Sequence, residues 1–136
     1  MLLVDTNVLL DIFENDKQWV DWSLAKVRGF AQLLQLSIDP IVYAELSVCF
    51  ASVVELDAML SELQIDLVAA PREALFLAGR KFVGYRRRGG PKSNVLPDFL
   101  IGAHAAVRQC PILTRDTRRY RTYFSSVQLI APDART

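Results

Sequence analysis

The sequence predicts a three-layer α/β/α fold on a mostly parallel sheet of about five strands, and three observations lead there. Short apolar runs at 2–5, about 36–38, about 65–68, 112–114 and 127–130 have the length of strands. They alternate with stretches of helical periodicity rather than with tight turns, as parallel strands joined by crossovers do. The 136 residues are 51% hydrophobic, enough for one true core, so residues 1–136 read as a single domain.

The elements follow in order. Leu2, Leu3 and Val4 form the first strand, and Val8, Leu9 and Leu10 are equally apolar, yet Asp5, Thr6 and Asn7 stand between them. A carboxylate between two segments that both seek burial is costly unless its charge is paired. Asp11, Glu14, Asp16 and Asp21 are expected to decorate a first helical region. "WVDWSLAKVRGFAQLL" (19–34) has apolar residues at helical spacing, with Trp19 and Trp22 expected in the core or, if half exposed, in a partner groove with residues near Val53, Leu56 and Leu60. Asp39 before Pro40 is an N-cap and first-turn signal opening a helix through about Phe50. "SVVELDAMLSEL" (52–63) repeats apolar residues every three or four positions. Pro71, Arg72 and Glu73 start a helix that runs to Gly89-Gly90-Pro91, and Pro97 opens the last long one, through about Val107. Within it Gly102 and Ala105 predict a smooth stripe for close approach of the sheet.

Composition bounds the function classes. Residues 1–71 hold eleven acids and three bases, whereas residues 72–136 hold thirteen bases and four acids. A chain divided this way can show a basic flank to a polyanion, or simply carry two ordinary solvated surfaces. A mean hydropathy of +0.19 suggests apolar surface reserved for a partner. No apolar run reaches membrane-spanning length, and the start lacks the basic region and cleavage site of a signal peptide, so no membrane association is expected. Cys49 and Cys110 lie far apart without metal-ligand spacing, as reduced thiols of a cytoplasmic protein would.

Most of the fifteen acids have plain roles as caps or on helix surfaces; four do not. Asp5 ends the first strand, where ligands collect in open parallel sheets, although an Asp there serves equally as an N-cap. Glu45, in "PIVYAELSVCF", shares a helical side with Ile41 and Val48; alone, it reads as snorkelling out or pairing with an arginine. Asp98, in "LPDFLIGAHAAV", occupies a first helical turn that the macrodipole favours for negative charge. Asp116 stands just past Ile112-Leu113-Thr114 and repeats the layout of Asp5, with turn residue as its plain role.

Together these roles are strained, because a doubly wound sheet can bring all four acids to one edge. Carboxylates gathered there repel, and several stay protonated unless a cation neutralises them. An oxygen-only ligand set selects Mg²⁺ or Mn²⁺, and such an ion with open water positions suits attack on a phosphodiester. Other catalytic equipment is missing: His104 is the single histidine, expected to be structural or on the surface, and there is no Gly-rich phosphate loop or nucleophile elbow.

In this order, "LLVDTNVLLD", "PIVYAELS", "LPDFLIGAHA" and "ILTRDTRRYRTYF" resemble the PIN-domain ribonucleases, specifically the VapC toxins of bacterial toxin–antitoxin pairs, over essentially the whole chain. The resemblance implies a five-stranded parallel sheet with an acidic pocket at its strand ends. It makes Asp5 and Asp98 the principal Mg²⁺ ligands, has Asp116 complete the pocket directly or through water, and has Glu45 orient a water or a second ion. Asn7 and Thr114 match the polar positions that support the acids. The implied reaction is endonucleolytic RNA cleavage by metal-activated water. The implied partners are a VapB-type antitoxin covering the groove, a second copy in a homodimer, and operator DNA through the antitoxin. Where some relatives carry a further acid, this chain has Arg118 and Arg119, which favours one strong metal site.

Around the turn in "GRKFVGYRRRGGPKSN", Arg86, Arg87, Arg88 and Lys92 are candidate RNA-phosphate contacts, as is Arg115 beside Asp116. Tyr120 and Tyr123 could stack on unpaired bases, and a solvated helix end is the plainer reading of both segments. Two other classes compete. A non-catalytic module would use the same fold to bind RNA or protein. A haloacid-dehalogenase-like phosphatase needs a second Asp two residues after the first, where this chain has Asn7.

Overall fold

Strands and helices alternate along the chain in a computed structural model that describes residues 1–91 and 95–132. The strands are β1 (Leu2–Val4), β2 (Leu36–Ile38), β3 (Ile65–Leu67), β4 (Ile112–Leu113) and β5 (Leu129–Ile130). All pair in parallel, in the order β3-β2-β1-β4-β5. β1, β2 and β4 are wholly buried, whereas β3 and β5 at the edges are partly exposed. Burial on both faces is why β1 and β4 are continuously apolar instead of alternating, while β2 buries Ser37 between Leu36 and Ile38.

The helices are α1 (Thr6–Phe13), α2 (Val20–Ala31), α3 (Pro40–Leu46), α4 (Val53–Glu62), α5 (Arg72–Arg87), α6 (Leu96–Arg108) and α7 (Arg118–Tyr123). Local chemistry sets several starts. Asp5 Oδ1 accepts from the Thr6 amide at 2.8 Å and Asp39 Oδ1 from the Ile41 amide at 2.9 Å. Ser52 Oγ accepts from the Glu55 amide at 3.2 Å to open α4. The helix expected to run from Pro40 to about Phe50 tightens after Leu46 into a 3₁₀ turn, Ser47–Cys49. No described helix is long and apolar enough to cross a membrane.

Strand order decides where a site can form. The chain moves outward from β1 to β2 and β3, then returns to place β4 on the other side of β1. Right-handed crossovers put the helices of these two excursions on opposite faces of the sheet. The packing agrees: α1 lies against α2 and α3, and α6 against α5 and α7. The reversal between β1 and β4 opens a crevice at their carboxyl ends. Asp5 leaves β1 there, and Thr114 to Asp116 leave β4.

The packing corrects three expectations. Asp11 is not a surface acid: it is buried, and Arg115 grips it through Nε at 2.6 Å and Nη2 at 2.8 Å while Ser23 Oγ donates at 2.7 Å. Arg115 also lies 5.0 Å from the Trp19 ring centroid, and Trp19 and Trp22 are half-buried rather than fully in the core. The close approach at Gly102 is not by the sheet but by the Phe124 ring, with Cδ2 only 2.3 Å from where a Cβ would stand.

Gly102→Ala should therefore destabilise the fold by about 1–3 kcal/mol through overpacking. Urea unfolding measures this, and an unchanged midpoint would contradict the packing described.

Candidate metal centre

Asp5 is the most constrained acid of the crevice. It is 4% exposed, and its two oxygens have separate duties. Oδ1 caps α1, so the cap and site readings of this residue are compatible. Oδ2 accepts from Thr114 Oγ1 at 2.8 Å, Tyr120 Oη at 2.8 Å and Asn7 Nδ2 at 3.3 Å. The pairing of Val4 with Leu113 puts Asp5 beside Thr114, which is how the β4 hydroxyl reaches the β1 carboxylate. Asn7 completes the seam: its Oδ1 accepts from the Arg115 amide at 3.0 Å.

Asp98, in the first turn of α6, receives Arg119 Nη1 on Oδ2 at 2.9 Å. Glu45, on α3, accepts from Thr6 Oγ1 at 2.7 Å, so the residue after Asp5 ties the third acid to the crevice. Asp116 is exposed; its amide donates to Thr114 Oγ1 at 3.1 Å, and its Oδ1 accepts from the Arg118 amide at 3.3 Å.

Electrostatics show that these acids act on one another. Burial pushes the Asp5 carboxyl up to about 6, helped by the charge of Asp98 and opposed by the donors Thr114, Tyr120 and Thr6. Burial also raises Asp98, with the charges of Asp116 and Glu45 adding to the rise and Arg119 opposing it. Tyr120 is held well above its ordinary value by burial and by the negative charges of Asp5, Asp98 and Asp116, so it stays a hydrogen-bond donor. Stability follows with a definite sign. Asp5 is neutral in both states below its ordinary 3.8, and its contribution is lost as pH rises through about 6.

The acids are electrostatic neighbours without forming a finished cage. Among the described residues no three Asp, Glu, His or Cys side chains close around a point that could hold an ion. Their oxygens are turned instead to protein donors: Asp5 to Thr114 and Tyr120, Asp98 to Arg119, Glu45 to Thr6. The donor chemistry fits a hard divalent cation: every group is an oxygen, and carboxyls raised chiefly by burial and further by one another's charge are relieved by positive charge.

The basic candidates are distributed unevenly. Arg86, Arg87 and Arg88 are exposed, with Arg86 Nη1 donating to the Gly90 carbonyl at 2.8 Å and Arg88 lying 5.6 Å from the Tyr123 ring centroid. Lys92 lies outside the described residues. Arg115 is committed to Asp11. Tyr120 is 1% exposed and cannot stack on a base, which corrects that expectation; its hydroxyl serves Asp5 instead.

Sequence reasoning missed Tyr120 as a support of Asp5, Thr6 as a support of Glu45, and the salt bridge from Arg119. The signal for Tyr120 was present: Tyr120, Tyr123 and Phe124 recur at helical spacing, and the resulting α7 turns them inward. Asp39, read only as a cap, also meets buried His104 Nδ1 at 2.7 Å, locking α6 to the end of β2.

Comparison with known proteins follows the same lines. The PIN domain family profile matches residues 2–125. No curated protein matches the sequence significantly. Among solved structures, VapBC2 from Rickettsia felis bound to a DNA fragment from its promoter is similar at 19% identity and a TM-score of 0.72, covering 97% of this chain and 98% of that one. VapBC-1 from nontypeable Haemophilus influenzae gives 17% and 0.69, covering 96% of each chain. A toxin–antitoxin complex from Klebsiella pneumoniae gives 22% and 0.64, covering 97% of this chain and 98% of that one.

If the acids are coupled as described, Asp98→Asn lowers the pKa of Asp5 from about 6, and Tyr120→Phe raises it by removing a donor. Carboxyl ¹³C titration by NMR measures both. An Asp5 pKa that moves in neither variant would contradict the coupling.

Proposed function

The chain belongs to the PIN domain family, and on that premise we propose that it is a metal-dependent endoribonuclease, the toxin half of a VapBC-type pair. The observation that carries the reading is Asp5: a carboxylate buried at the switch point of a parallel sheet, raised to about 6 by burial and a neighbouring acid. A fold retains such a group at a cost to stability, which a bound cation would offset.

In this reading Asp5 and Asp98 are the principal ligands of Mg²⁺ or Mn²⁺, with Asp116 completing the set directly or through water. When bound, the ion supplies an activated water and stabilises charge on the phosphate. The chain's own residues do the rest. Thr114, Tyr120 and Asn7 fix Asp5 from three directions, so its orientation is set before any substrate arrives. Thr6 fixes Glu45 at the crevice, where its carboxylate can orient a water. Arg86, Arg87 and Arg88 offer exposed positive charge to an RNA backbone.

Partners follow by likeness. The neighbours are complexes of toxin and antitoxin, and the Rickettsia complex holds promoter DNA. We infer a VapB-type antitoxin for this chain, with operator DNA reached through it, and a homodimer. The open arrangement of the acids favours one other reading, a non-catalytic RNA- or protein-binding module.

Incubating an RNA panel with the protein, with and without EDTA, separates the two. Cleavage that needs Mg²⁺ and disappears in Asp5→Asn and Asp98→Asn is the expected result. Metal-independent cleavage would contradict the mechanism, and RNA binding without cleavage would favour the module. Expression should arrest growth, with Asp98→Asn relieving the arrest; undiminished toxicity of that variant would count against the ligand assignment.

A further inference from the structure

We propose that Arg119 is a built-in counter-cation of the acidic crevice, which competes with a divalent ion for Asp98 and so sets how much of that ion the protein requires. This deepens the metal-centre reading above and rests on it.

Arg119 Nη1 meets Asp98 Oδ2 at 2.9 Å, and the two side chains are 31% and 30% exposed. The pair therefore sits half-buried at the mouth of the crevice, within reach of solvent, where an incoming cation can compete for Asp98. Of the four acids, Asp98 is the one a described guanidinium touches; Asp5 and Glu45 are held by neutral donors. A divalent ion on Asp98 would bring two cations, with three positive charges between them, to a single carboxylate, and their repulsion sets the two occupants in competition.

The arginine has a second partner that does not depend on Asp98. Its guanidinium lies 5.8 Å from the ring centroid of Tyr85, a buried residue packed on Phe99 and Tyr123. That ring face can keep the cation near the crevice after Asp98 is released. The other described arginines near the site do not substitute for it, since Arg115 is bound to Asp11 and the side chains of Arg118 and Arg121 are exposed. α7 thus delivers its two inward donors to different acids on successive residues: the charged Arg119 to Asp98, the neutral Tyr120 to Asp5.

The test is Mn²⁺ binding to the full chain without RNA, by calorimetry, comparing wild type with Arg119→Gln and Arg119→Lys and using Asp98→Asn as the site control. Arg119→Gln should bind Mn²⁺ about tenfold more tightly, and Arg119→Lys should stay near wild type. Arg119→Met, which keeps an aliphatic stem over Tyr85, provides the same comparison if circular dichroism shows the Gln variant unfolded. Equal or weaker binding by a folded neutral variant overturns this inference and leaves the metal centre standing, because an Arg119 that only positioned Asp98 would give that result. Absence of Mn²⁺ binding in both wild type and the neutral variants overturns the inference together with the metal centre.

Discussion

A single buried carboxylate organises this molecule. Asp5 cannot be satisfied by its own segment alone: Thr6 and Asn7 are local, but Thr114 and Tyr120 come from more than a hundred residues away. Satisfying one charge therefore requires β1, β4 and α7 to be in place together. The same residue caps α1 with its other oxygen, so the first helix and the crevice share an origin.

The crevice and the core pull against each other. Around it lie the most apolar strands of the sheet, and the carboxyl ends of those strands carry the acids. An Asp5 carboxyl at about 6 against an ordinary 3.8 corresponds to roughly 3 kcal/mol at neutral pH. Hydrogen bonds from neutral donors offset part of the burial cost, and Arg119 does so for Asp98 by charge. The structure thus balances its acids with its own groups, and each of those groups has a distinct bearing on whether a cation can enter.

The sheet and most helices were legible because strand length, helical periodicity and Pro or Asp start signals are local properties of a sequence. The five apolar runs each became a strand within two residues of expectation. α7 was not legible in the same way, because its arginines alternate with its aromatic residues and only the inward face reveals a helix. Asp11 and Asp5 show the limit for the site. Both are acids beside apolar residues in the opening segment, yet one is paired with a distant arginine and the other is hydrogen-bonded by hydroxyls. Which partner arrives depends on strand order, and the reversal between β1 and β4 is a property of the whole chain.

The central claim is that the acids at this reversal form one cation site. Anomalous diffraction from crystals grown with Mn²⁺ tests it most directly. The account predicts a peak at the carboxyl ends of β1 and β4, bounded by the side chains of Asp5 and Asp98. Ordered acids in a well-diffracting crystal with no peak between them, or with Mn²⁺ bound only elsewhere, would contradict it.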